Sequence, residues 1–127
     1  MRLAIDTNRY SDLARGDVAV TALVEAADAV FVPLPVIAQL RVGFVGGSQG
    51  KQNERKLQDF LLRPGISVLH PDELTTRHYA AIALQLRRQG TPIPINDVWI
   101  AALVLQHALT LYARDAHFDH LPQLMRI

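Results

Sequence analysis

Asp6, Asp97 and Asp115 each stand where a predicted element begins or ends. Leu3-Ala4-Ile5 is a short apolar run without polar alternation, which predicts a strand covered on both faces, and Asp6 follows it directly. Leu109 to Ala113 predicts another strand, ended in the same way by Arg114-Asp115. Asp97 falls in the first turn of a predicted helix whose Val98 to Leu105 are almost continuously apolar. In a parallel sheet the connections diverge beyond the carboxyl ends of the strands, so acids at these places can share one end. Carboxylates crowded together repel, and they are tolerated when a cation neutralises them or when some of them bind protons. Oxygen donors without thiolates suit Mg²⁺ or Mn²⁺, hard ions that keep water ligands and work on phosphates. The chemistry implied is metal-assisted hydrolysis of a phosphodiester. Three unrelated helix caps are the alternative, because Asp is also a preferred N-cap residue.

The elements that must position these acids alternate along the chain. Tyr10 to Arg15 predicts a short helix closed by Gly16, and Asp17 caps a second one running to about Ala27, with Thr7 or Asn8 as the cap of the first. Ala29 to Val32 is a strand stopped by Pro33 and Pro35, and a helix from about Val36 carries Ile37, Leu40 and Phe44 on one side. Gly43 to Gly50 lacks the spacing and the Lys-Ser/Thr ending of a phosphate loop and follows no strand, so it predicts a flexible link between helices. Lys51 to Arg63 is amphipathic, with Leu57, Phe60 and Leu61 inward. Ile66 to Leu69 is a strand, and a long helix from Asp72 or Thr75 to near Gly90 turns Ala80, Ile82, Ala83 and Leu86 inward. Asn96 then caps the apolar helix, and Ala116 to Leu121 makes one turn after the last strand. This order predicts an α/β fold with a mostly parallel central sheet flanked by helices.

Composition bounds what such a fold can be used for. The 127 residues are 50% hydrophobic and 20% charged, which predicts one domain over residues 1–127. A formal net charge of +1 removes bulk basicity as a route to nucleic acid, so any such site is local. Cysteine is absent, which excludes disulfide scaffolds and thiolate metal centres. With no signal-peptide h-region and no apolar run long enough to span a bilayer, a cytoplasmic chain without membrane contact is expected.

The chain resembles the PIN-domain family, and within it the VapC-type ribonuclease toxins of bacterial toxin-antitoxin pairs. The likeness is carried by Leu3-Ala4-Ile5-Asp6-Thr7-Asn8, by Val36-Ile37-Ala38-Gln39-Leu40-Arg41-Val42-Gly43, by Ile95-Asn96-Asp97-Val98-Trp99-Ile100-Ala101-Ala102, and by Tyr112-Ala113-Arg114-Asp115-Ala116-His117-Phe118 with Leu121-Pro122. These segments run over the whole length in the family's order. The resemblance implies a single PIN-like domain, Asp6, Asp97 and Asp115 as ligands of Mg²⁺ or Mn²⁺, and cleavage of RNA by an endoribonuclease toxin. It also implies two partners, a cognate antitoxin and a second copy of the chain. Leu23, Phe44, Val45, Leu57 and Phe60 are expected to offer an apolar patch for such contacts.

One position departs from the family pattern. The family usually places Glu before its Leu-Arg-x-Gly segment, and here Gln39 stands there. An amide oxygen can orient a metal ligand but brings no charge and cannot act as a base near neutral pH. Gln39 is therefore placed with the catalytic group, and a catalytically weakened PIN-fold module binding RNA or antitoxin is the competing function. A phospho-accepting receiver domain is a third reading, disfavoured because no acid pair follows the first strand. Thr7 and Asn96 are expected to donate to the neighbouring carboxylates or to cap helices, and Asp119, one turn past Asp115, to support the site or face solvent. Arg9 and Arg41 are expected to engage RNA phosphates or to moderate the acidic charge. His117 and His120 are assigned structural or surface roles, because no third zinc-type ligand stands near them in sequence.

Overall fold

A computed structural model describes residues 1–127. Four strands, β1 (Arg2–Ile5), β2 (Ala29–Pro33), β3 (Ile66–Leu69) and β4 (Thr110–Tyr112), form one parallel sheet in the order β3-β2-β1-β4. Leu3, Ala4 and Ile5 are fully buried, as expected for a central strand covered on both faces. The register sets Ile5 beside Tyr112 and Ala4 beside Phe31, so β1 and β4 finish level with each other. The chain leaves β1 toward β2 on one side, while β4 lies on the other. The gap between the ends of β1 and β4 is thus the point where the strand order reverses, the usual place for a site in an open sheet.

Six helices cover the sheet: α1 (Thr7–Ala14), α2 (Val18–Ala26), α3 (Leu34–Gly46), α4 (Gly50–Leu61), α5 (Glu73–Gln89) and α6 (Ile95–Gln106). Helix α1 packs on α2 and α3, α3 on α4 and α6, and α5 on α6. In α6, Val98 and the run Ile100 to Val104 are buried, which explains its nearly continuous apolar sequence. A 3-10 turn, Ala116–His120, follows β4 and buries Phe118 completely. No helix is long and apolar enough to cross a membrane.

Several boundaries differ from the sequence expectation for identifiable reasons. Helix α1 begins at Thr7, so Asp6 and neither Thr7 nor Asn8 holds the N-cap position. Helix α3 begins at Leu34, because Pro35 fits the first helical turn, and it continues through Gly43 to Gly46. The expected flexible link is reduced to Gly47-Ser48-Gln49. Gly50 opens α4 so close to α3 that a Cβ there would lie 2.3 Å from the Phe44 carbonyl oxygen. Pro94, not Asn96, is the N-cap of α6, which leaves Asn96 in the first turn. On α5, Ile82 and Leu86 are buried as expected, but Ala80 is exposed. The patch expected from Leu23, Phe44, Val45, Leu57 and Phe60 does not exist as such, because Leu57 and Phe60 are core and Leu23 and Phe44 pack against it. Val45 alone of these is open, at 88% exposure.

Candidate active site

The end of β1 delivers Asp6 into a buried position where its side chain makes no cap hydrogen bond to α1. Its carboxylate is therefore not spent on capping. The Asp6 N–H bonds the Tyr112 carbonyl at 3.1 Å and its own carbonyl accepts the Tyr10 N–H, which locks the strand end to the helix start. Burial raises its carboxyl to about 6, against the pull of the neighbouring Thr7 N–H, and the charges of Asp97 and Asp115 push it further up. Asp6 therefore lies within electrostatic reach of both Asp97 and Asp115.

Asp97 lies in the first turn of α6, where the unpaired N–H groups favour an anion, and it is buried. Burial raises its pKa, opposed by a hydrogen bond with His117 and reinforced by Asp115. Asp115 begins the 3-10 turn, and its Oδ1 accepts the His117 N–H at 2.9 Å. The turn swings His117 back over the acids, so that Nδ1 is 2.8 Å from Asp97 Oδ2 and 3.0 Å from Asp115 Oδ1. One potential ligand atom each from Asp97, Asp115 and His117 lies within 4.8 Å of the others. Asp115 and His117 are the more open members, with 29% and 45% side-chain exposure, so the cluster meets solvent on their side.

His117 is the residue that sequence reasoning set aside. Pairing it with His120 was misleading, since His120 is exposed and offers its backbone carbonyl to Gln89 instead. The usable signal was the two-residue spacing from Asp115, which a tight 3-10 turn folds onto one side. Gln39 does reach the margin of the site, where its Oε1 accepts the Thr7 hydroxyl at 2.8 Å, one residue from Asp6. Asp119 does not join the acids. It pairs with Arg126, whose Nη2 donates to the carbonyls of Ala113 and Asp115 at 3.2 and 3.1 Å. Its influence on the site therefore runs through Arg126. Arg41 makes a two-point pair with Glu54, both bonds at 3.0 Å, that ties α3 to α4 and balances its charge. Arg9 stays near the acids, with its guanidinium 4.7 Å from the Tyr112 ring centre. A surface groove lined by Phe44, Gly47, Arg55 and Gln58 among others lies between α3 and α4 and includes none of Asp6, Asp97 and Asp115.

The arrangement can gather a divalent cation among two or three carboxylates and one imidazole, at the edge of a surface that solvent and a large substrate can reach. Known proteins resemble the chain over much of its length. The chain is 27% identical over 93 residues to ribonuclease VapC4 of Mycobacterium tuberculosis, an alignment covering 73% of this chain and 72% of that protein. It is 40% identical over 76 residues to ribonuclease VapC1 of Haemophilus influenzae, covering 60% of this chain but only 52% of that protein. The solved structure of VapBC-1 from nontypeable Haemophilus influenzae superposes with a TM-score of 0.87 at 26% identity, over 100% of this chain and 97% of that one. A family model described as PIN domain matches residues 3–124, all but the extremities of the sequence, and the chain belongs to the PIN domain family.

Proposed function

We propose that the protein is a divalent-metal-dependent endoribonuclease, the toxin member of a toxin-antitoxin pair. The observation that carries this reading is the convergence of Asp6, Asp97 and Asp115 at the reversal point of the sheet, with His117 bridging two of them. The donor set fits a divalent ion: two carboxylates and an imidazole nitrogen lie within 4.8 Å of one another, and burial, with the charges of Asp97 and Asp115, raises the Asp6 carboxyl to about 6. Asp6, Asp97 and Asp115 would hold Mg²⁺ or Mn²⁺, and His117 adds a nitrogen donor that suits Mn²⁺ better than Mg²⁺. When bound, the ion supplies an activated water and charge stabilisation at the phosphate.

The protein's own groups do the rest. The Asp97 carboxylate is oriented by His117 Nδ1, and the Asp115 carboxylate by the His117 N–H. Thr7 fixes Gln39 beside Asp6, so that a neutral amide stands where the family pattern has a Glu. RNA is the substrate and a cognate antitoxin and a second copy of the chain are the partners, in keeping with relatives named ribonuclease VapC and with the VapBC-1 structure. A cytoplasmic location accords with that role.

The test is cleavage of a mixed single-stranded RNA with Mn²⁺, using Asp97→Asn and Asp115→Asn as controls. Activity that disappears in both variants and in EDTA is the expected result. RNA cleavage unchanged by either substitution would refute the site. Gln39 specifically favours a second reading, a catalytically weakened module that binds RNA or antitoxin, which predicts retained binding with no metal-dependent cleavage.

A further inference from the structure

Four charged side chains form a second assembly on the α1 side of the acids. Asp12, with only 12% of its side chain exposed, receives Arg15 Nη2 at 2.6 Å, Arg114 through both Nε and Nη2 at 3.2 Å, and Arg9 Nη1 at 3.5 Å. One carboxylate thus answers three cations, an excess of two positive charges in a chain whose formal net charge is only +1. The other arginines paired near the site show no such excess, for Arg41 is matched by Glu54 and Arg126 by Asp119.

The assembly adjoins the acid cluster. Arg114 precedes Asp115 in sequence, and Arg9 lies one helical turn beyond Asp6, stacked on the Tyr112 ring whose backbone carbonyl receives the Asp6 N–H. Donors remain for a ligand. Arg114 leaves Nη1 uncommitted, Arg15 bonds only through Nη2, and their side chains are 49% and 68% exposed.

We propose that Arg9, Arg15 and Arg114, held in place by Asp12, form a clamp for the phosphate backbone of single-stranded RNA beside the hydrolytic site. This deepens the nuclease reading and rests on it for the substrate. A guanidinium presents its donors as a rigid fork that matches phosphate oxygens, and forks already pinned by Asp12 lose little freedom on binding. At 1.5 Å rise per residue, Asp12 lies about 9 Å along α1 from Asp6. The clamp therefore takes phosphates neighbouring the scissile one.

The test measures binding of a fluorescein-labelled single-stranded oligoribonucleotide in EDTA across a salt series, beside cleavage kinetics and Mn²⁺ titration. Arg15→Gln with Arg114→Gln should weaken binding about tenfold at low salt and lower the slope of log affinity against log salt by about 0.7 for each phosphate no longer neutralised. KM should rise while kcat and Mn²⁺ affinity stay near the wild type. Arg2→Gln with Arg77→Gln, at the start of β1 and in the first turns of α5 where the chain meets the end of α6, is the charge-matched control on the side away from the acids and should change binding little. Arg15→Gln alone, at an exposed position, carries the test if the double variant does not fold. Equally weakened binding in the Arg15/Arg114 and Arg2/Arg77 variants, or an unchanged salt slope, would overturn the clamp. A wild-type protein that binds RNA through these arginines but never cleaves it would instead remove the nuclease reading and leave the clamp standing.

Discussion

Gln39, held at the margin of the acid cluster by Thr7, is where a single substitution would test the charge around the proposed metal position. Its amide is fixed by the Thr7 hydroxyl, so a carboxylate of the same length would be aimed from the same place. Gln39→Glu should tighten Mn²⁺ binding by roughly ten- to a hundredfold, as changes close to metal ligands do, and raise ribonuclease activity. Without metal the same substitution adds an anion among anions and should lower the melting temperature. Calorimetric titration and thermal melts with and without Mn²⁺ read both effects, and no change in either would remove Gln39 from the site. Asp6 makes a prediction of its own. Its pKa is raised from 3.8 to about 6, so the folded chain holds a proton that the unfolded chain has already released. The stability this confers is fully present below pH 3.8, falls as pH rises through about 6, and is gone above that. At about 1.4 kcal/mol per unit the upper bound is about 3 kcal/mol. Urea denaturation of metal-free wild type and Asp6→Asn should therefore differ in pH slope over that window, with the variant flatter. Parallel curves would mean that Asp6 is already ionised at the lower pH.

Elements transmit small changes to the site. Helices α3 and α4 meet at Gly50, where a Cβ would lie 2.3 Å from the Phe44 carbonyl oxygen, and backbone cannot swing aside as a long side chain can. Gly50→Ala should cost about 1–3 kcal/mol, an overpacking penalty, measured by urea denaturation. A cost near zero would show that α4 slides freely on α3. On the other side, the C-terminal segment braces the turn that carries Asp115. Met125 and Ile127 bond Leu111 through their backbones, and Arg126 holds the carbonyls of Ala113 and Asp115 while lying over Phe118. Arg126→Ala should cost about 1–2 kcal/mol by removing those hydrogen bonds. It should also weaken Mn²⁺ binding, by up to about tenfold, through the loosened turn. Reduced stability with unaltered Mn²⁺ affinity would confine Arg126 to holding the chain end.

For the whole molecule, one stretch of uncovered apolar surface lies on α3 and is a candidate contact for the proposed antitoxin. Val42 and Val45 on α3 are 74% and 88% exposed and stand three residues apart, on neighbouring turns of one helix face. They contribute little to the core. Val42→Asp with Val45→Asp should leave stability within about 0.5 kcal/mol of the wild type, as surface substitutions do. The same variant should fail to co-purify with a co-expressed cognate antitoxin, the partner proposed above. Retained co-purification would place the antitoxin elsewhere.

Local rules were enough for much of this protein. Apolar runs too short for helices marked the strands, their alternation with helical segments implied a parallel sheet, and acids just past two strands marked the end where a site would form. Those inferences depend on neighbours in sequence, and a residue's nearest neighbours largely decide strand, helix and turn. What depended on distance in space was invisible. His117 joins Asp97 across twenty positions of sequence only because a 3-10 turn doubles back. Asp12 gathers Arg114 from the other end of the chain because β4 lies beside β1. Arg41 and Asp119 each form an ion pair whose partner lies on another segment, which their neighbours in sequence did not announce. The amphipathic pattern did mark Leu57 and Phe60 as inward, and both are buried, but it marks an apolar face without naming what covers it, here the Tyr10 ring against Phe60. Sequence periodicity assigns each side chain a direction, and only the packing of the elements decides what it meets there.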